Sequence, residues 1–136
     1  FFNQAKDVLC NSDFGQIRVF EFINRMDLAY SMADIIISRA GAIAISEICL
    51  AGKPAILVPF PGAAEDHQAK NAMELVKKNA AILIKDNELN DKIKDTLINL
   101  VDKEENMIAL AKNIKDMAIT DSATKIAEVI INSIKK

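Results

Sequence analysis

Two cysteines, one histidine and no excess of basic residues leave several kinds of chemistry without their usual parts. Cys10 and Cys49 lack CxxC spacing, and both lie in apolar stretches. They read as reduced, buried thiols, not as a redox pair. The single histidine, His67, has no Cys, His or Asp set at ligand spacing around it, so no metal is expected. No Gly-x-Ser-x-Gly occurs and no Cys/His pair has a third member, which leaves nucleophilic catalysis unsupported. With 17 Lys and Arg against 19 Asp and Glu, the net charge of -2 offers no basic face to nucleic acid. No apolar run approaches the ~20 residues of a membrane span. No signal-peptide pattern is visible.

What is present is one domain's worth of chain: 136 residues, 51% hydrophobic, enough for a core. It opens at Phe1, inside an apolar-periodic segment and without Met, and so reads as a piece of a longer protein. Two short β-branched runs, Ile35–Ser38 and Ala55–Val58, are apolar on both faces, as parallel strands under helices are. Each breaks into a turn and then a helix. Polar groups therefore collect at the strands' carboxyl ends, where open α/β sheets bind ligands.

The pattern predicts a helix from Phe1 to Asn11, a turn over Ser12–Gly15, and an alternating strand Ile17–Phe22. A helix follows that Asn24 can cap, carrying Met26, Ala29, Tyr30 and Ala33. After the Ile35–Ser38 strand, the Gly41 turn leads to a helix Ala42–Ala51, stopped by Gly52 and Pro54. After Ala55–Val58 a Pro/Gly loop leads to a helix from near Glu65 or Asp66 to Lys78-Asn79, then a strand Ala81–Ile84. Three more helices begin near Asp86, Lys103 and Asp121 or Ser122. Their apolar residues at three and four spacing, ending with Ile126, Ile130, Ile131 and Ile134, read as core faces. The alternation predicts an α/β fold with a parallel sheet flanked by helices.

Three groups could carry chemistry. Gly41-Ala42 starts a helix directly after a buried strand, and the free N–H groups of such a turn suit a phosphate; many ordinary strand-to-helix turns also contain Gly. Glu47 lies between Ile45 and Ile48 on a helix with no other acid. It reads as an exposed position, as a salt bridge to Arg39, or as an acceptor for two sugar hydroxyls below a phosphate. His67, Gln68 and Asn71 can share a helix face, and imidazole plus amides suit a polyhydroxylated ligand. Capping is the plain reading of Glu65 and Asp66, and a surface or capping role that of His67.

In order and spacing, Phe22-Ile23-Asn24-Arg25-Met26, Ala33-Asp34, Ser38-Arg39-Ala40-Gly41-Ala42, Ser46-Glu47-Ile48, Gly52-Lys53-Pro54-Ala55, Val58-Pro59, Glu65-Asp66-His67-Gln68 and Asn71-Ala72 form one constellation. From about Ile17 to Ile84 it resembles the carboxyl-terminal domain of the MurG family, bacterial UDP-N-acetylglucosamine transferases of peptidoglycan synthesis. The resemblance implies the donor half of a GT-B glycosyltransferase with Rossmann-like domains. Residues 1–136 would be a partial UDP-sugar-binding domain lacking its first strands and the acceptor domain. The ribose-binding Glu falls on Glu47, and the helix start that meets diphosphate and sugar falls on Gly41, Ala42 and Ile43, beside Arg39. The uracil contacts fall on Phe22, Ile23 and Met26, and the sugar contacts on His67, Gln68 and Asn71. The family often has Ser where this chain has Ala40, so a hydroxyl contact is lost there.

The resemblance further implies transfer of GlcNAc from UDP-GlcNAc to lipid I, giving lipid II, with no cofactor or metal. No catalytic residue, lipid-acceptor site or membrane patch would lie in this chain, which alone would be inactive. The full-length protein would sit peripherally on the cytoplasmic side of the inner membrane. Rival readings are a stand-alone donor-binding subunit of a split membrane glycosyltransferase, and a UDP-sugar epimerase. In the implied strand order 3-2-1-4-5-6, Ile17–Phe22 is the third strand and the next three are the fourth to sixth. With the first two absent, the third is expected to collapse onto the fourth, or two copies of the chain to pair through the gap.

Overall fold

The computed structural model of the protein describes Gln4, Lys6, residues 16–63 and residues 66–134. Three parallel strands, β1 (Ile36–Ser38), β2 (Ala55–Leu57) and β3 (Ile82–Leu83), form one sheet in the order β1-β2-β3. Ile36 pairs with Ala55, and Leu57 with Leu83. Single bonds extend the ladders: Ile36 N–H donates to the Pro54 carbonyl at 2.9 Å, and Ile84 N–H to that of Leu57 at 3.0 Å. Helix α1 (Met26–Met32) precedes β1, and α2 (Ala42–Ala51) and α3 (His67–Lys77) intervene between strands, as parallel connections require. A 3-10 turn Asp86–Glu88 leads into α4 (Leu89–Val101), then α5 (Glu104–Lys115) and α6 (Ser122–Ile134). The α/β class and the parallel sheet agree with the expectation from the sequence.

β2 is the buried strand. Ala55, Ile56 and Leu57 are all inaccessible, between β1 and β3. Around it close Ile48 and Cys49 of α2, Ala72 and Leu75 of α3, and Ile114 of α5. Burial pushes the Cys49 thiol above its ordinary pKa, as an inert core thiol requires. Cys10 lies outside the described residues.

The carboxyl end of α2 is stopped by identifiable chemistry. Gly52 adopts the left-handed conformation, φ 64°, and its N–H donates to the Ile48 carbonyl at 3.0 Å. A Cβ there would stand 2.8 Å from Lys115 Cδ. That lysine reaches across from α5 and donates its ammonium to the Leu50 carbonyl at 2.6 Å. A cation at a helix carboxyl end is favourably placed.

Three expectations need correction. Residues 17–22 form no strand: they are largely exposed and pair with nothing in the sheet. The expected collapse onto β1 is therefore absent, and among the described residues no strand covers the outer edge of β1. Alternating polarity suits a half-buried strand, but a strand also needs a partner for its backbone, and none of the described strands offers one. Second, β1 is not buried on both faces, since Ile37 is 48% exposed. Third, α6 buries no residue, and its isoleucine stripe faces outward from the described structure. Of the expected helix at Phe1–Asn11 only Gln4 and Lys6 are described, both helical. No helix among the described residues is long and apolar enough to cross a membrane.

Candidate functional site

The carboxyl ends of the strands all face one side, and Arg39, Gly41, Ala42, Ile43, His67, Gln68 and Asn71 lie on the segments that follow β1 and β2. β1 runs through Arg39 and Ala40 into α2. Ala40 is fully buried in the core. Gly41 is extended, φ -68° and ψ 145°, and its carbonyl accepts the first helical bond from Ile45 at 2.9 Å. No side chain caps this helix start. A Cβ on Gly41 would meet no atom within 4 Å, so neither backbone nor packing demands glycine there. Ala42 and Ile43 are exposed beside it, Ile43 by 78%. The first-turn amides thus stand at an unfilled surface with the positive end of the helix behind them.

Glu47 lies further along α2, exposed, and is not paired with Arg39. Its Oε2 accepts a hydrogen bond from the Tyr30 hydroxyl of α1 at 3.0 Å. Met26, Tyr30 and Glu47 line one depression of about 400 Å³ together with Leu50 and Ala51. Partial burial and then the Glu47 carboxylate push the Tyr30 phenol up to about 12. Ser46, beside Glu47, spends its hydroxyl on the Ala42 carbonyl one turn back at 3.0 Å.

Arg39 turns toward the loops that follow β2 and β3. Its guanidinium pairs with Asp86, donates to the Val58 carbonyl at 3.3 Å, and lies 5.6 Å from the Phe60 ring centre. The side chain ties three loops at the carboxyl edge of the sheet. On α3, Gln68 Oε1 accepts from the Phe60 backbone N–H at 2.9 Å, which leaves its NH2 group to donate elsewhere. Asn71 donates to the Ala40 carbonyl at a long 3.4 Å, drawing α3 to the start of α2. His67 is exposed in the first turn of α3. Asp66 precedes it in the left-handed region, φ 55°, and makes no side-chain cap, contrary to the capping expected. Glu65 lies outside the described residues.

The structure brings Gly41, Ala42, Ile43, Gln68 and Asn71 to one rim, and Met26 to the depression of Glu47. Phe22 and Ile23 do not line the depression of Glu47. Phe22 is 77% exposed, and Ile23 lines a separate apolar depression with Phe20, Leu28 and Met32. Sequence reasoning counted Tyr30 among the apolar positions of α1 and missed its hydroxyl. The available signal was the hydroxyl itself, since a tyrosine on a packed helix face needs a partner for its O–H. Among the described residues no three His, Cys, Asp or Glu side chains gather to hold a metal.

Known proteins resemble this arrangement. A curated relative from Parabacteroides distasonis is 48% identical over 116 residues, covering 85% of this chain and 32% of its own length. One from Phocaeicola vulgatus is 51% identical over 114 residues, covering 84% and 30%. Both are named UDP-N-acetylglucosamine--N-acetylmuramyl-(pentapeptide) pyrophosphoryl-undecaprenol N-acetylglucosamine transferase. The chain spans about a third of the length of these relatives. The crystal structure of Acinetobacter baumannii MurG superposes with a TM-score of 0.84 at 27% identity, over 96% of this chain and 38% of that one. The family model described as the glycosyltransferase family 28 C-terminal domain matches residues 2–130, and the chain belongs to that family.

Proposed function

We propose that residues 1–136 are a UDP-GlcNAc-binding domain of an inverting hexosyltransferase. In this reading the whole protein moves GlcNAc from UDP-GlcNAc to lipid I, giving lipid II for the peptidoglycan cell wall. The observation that carries the reading is the unfilled helix start at Gly41, with the Glu47 carboxylate on the same helix. Neither steric need nor backbone conformation explains glycine at that position, whereas a diphosphate pressed against the helix start does. The names of relatives about half identical in sequence support the donor and the reaction.

The Gly41–Ile43 amides hold the diphosphate and stabilise the negative charge that builds on it as UDP departs. Glu47 accepts the ribose hydroxyls through charge-assisted hydrogen bonds. Met26 lies against the base, in the same depression. The free amide donor of Gln68, with Asn71 and His67, faces the sugar. Arg39 keeps the loops around that sugar in place. Lipid I, the general base and the membrane surface belong to parts of the protein outside this chain, which would sit peripherally on the cytoplasmic face. The open edge of β1 takes a strand from outside the described residues; where none is supplied, two copies pair there.

Calorimetry with UDP-GlcNAc, UDP-glucose and a GDP-sugar tests the donor, and UDP-GlcNAc is expected to bind most tightly. Gln68→Ala and Asn71→Ala are expected to weaken UDP-GlcNAc binding and to spare UDP. Equal losses for both ligands would overturn the assignment of these residues to the sugar.

A further inference from the structure

We propose that Tyr30 is a positioning residue for ribose recognition: its hydroxyl fixes one oxygen of Glu47 so that the other meets the nucleoside. The proposal rests on the reading of Glu47 given above. A glutamate on an exposed helix face has several rotamers of similar energy, and binding must then freeze one. Here one is already chosen. The Tyr30 hydroxyl reaches Glu47 Oε2 from the neighbouring helix at 3.0 Å, and the ring packs against the core cluster, so the donor is itself held.

Among the described residues no cation pairs with Glu47. Arg39 is engaged with Asp86, Lys53 donates to the Ser31 carbonyl at 3.2 Å, and Arg25 is paired with Asp27 at 2.6 Å. Asp27 and Ser31 line the same depression and add no donor toward Glu47; the Ser31 hydroxyl donates to the Leu28 carbonyl at 2.8 Å. A neutral donor suits the role better than a cation would. It orients the carboxylate without neutralising it, which leaves full charge to accept hydroxyl groups. The phenol keeps its proton up to about 12, so the donor persists throughout the neutral range.

The arrangement separates two sites of recognition on one ligand. Tyr30 acts through Glu47 on the ribose hydroxyls and has no part in holding the diphosphate. Losing it should therefore narrow the preference for a ribose over a deoxyribose while binding of the diphosphate persists. A purely structural tyrosine between α1 and α2 would lower both affinities alike.

The test compares UDP with 2′-deoxy-UDP by calorimetry in the native polypeptide, as the cell makes it. The parent is expected to prefer UDP by about 10-fold or more, the size of a charge-assisted hydrogen bond. Tyr30→Phe, which keeps the ring and its packing, should reduce that preference to about 3-fold or less. In a Glu47→Gln background Tyr30→Phe should change the ratio no further. An unchanged preference in Tyr30→Phe overturns the proposal and leaves the Glu47 reading standing. No preference in the parent overturns the Glu47 reading and this proposal with it. If Tyr30→Phe folds poorly by its melting temperature, 4-aminophenylalanine introduced at position 30, whose amine stands where the hydroxyl does and donates as it does, should retain part of the preference. Its complete loss there, in a folded protein, overturns the proposal.

Discussion

Helices α5 and α6 carry the same kind of apolar stripe and come to opposite ends. α5 buries Ile114 completely, against Ile48 and the strands. α6 buries nothing, and Ile134 near its end is 77% exposed. The two helices differ in what stands opposite them. α5 folds back beside α4 and lies across α2, which rides on the sheet. α6 follows Ile119–Asp121 and meets no comparable surface among the described residues. An amphipathic period reports that a helix has a face to bury; a neighbour decides whether the face is buried.

The sharpest way to break this comparison is at Ile114. Ile114→Ala should cost about 2–5 kcal/mol of stability, the usual range for a large aliphatic side chain deleted from a packed core. Denaturant unfolding measures it, and a loss under about 1 kcal/mol would mean that α5 is as loosely held as α6. Next comes a change at an exposed position of the packed helix α2, which leaves packing alone. Glu47→Gln should weaken UDP binding by about 1.5–3 kcal/mol, since charge-assisted hydrogen bonds give way to neutral ones. Stability should hardly move. Equal binding by parent and variant would make Glu47 a structural residue.

Gly52→Ala should destabilise by about 1 kcal/mol or more, because alanine in the left-handed region is strained and its methyl would press on Lys115. Tyr30 offers a smaller, spectroscopic effect. It is the only tyrosine in the chain and there is no tryptophan, so tyrosinate absorbance reports it alone. Its ionisation should occur near pH 12, not near 10. The neutral form is the one the fold favours, so its stabilising contribution is complete below about pH 10 and is lost as pH rises toward 12. Glu47→Gln should bring the titration part of the way down, since burial, the first cause of the shift, remains. The smallest effect closes the comparison: Ile130→Ser on α6 should change the stability of this chain by less than about 0.5 kcal/mol.

The sheet was legible where two local signals agreed. At Ala42–Ala51 a Gly turn opened the helix and Gly52 with Pro54 closed it, and the observed bounds coincide with those expected. Ala55–Val58 was a β-branched run between breakers, and it became the central strand. Ile17–Phe22 had the alternation alone. Whether an alternating segment pairs depends on a partner strand far away in the chain, which no short window contains. Tyr30 was hidden for a related reason. Tyr30 and Glu47 are 17 residues apart in the sequence, and only the tertiary fold sets the hydroxyl against the carboxylate. Arg39 and Asp86 lie further apart still, on the turns after different strands.

One consequence concerns the ammonium of Lys115 at the far end of α2. A helix that receives an anion at its amino end feels a pull along its axis toward the anion, and an unsupported helix would yield by sliding or fraying. Here the rear end is braced: the Leu50 carbonyl is held by Lys115, and Gly52 turns the chain away at once. The front end stands clear of its surroundings at Gly41. α2 therefore works as a strut with a fixed foot and an open head. Rigidity at the foot was settled during folding, so little recoil remains to weaken the grip when an anion docks at the head.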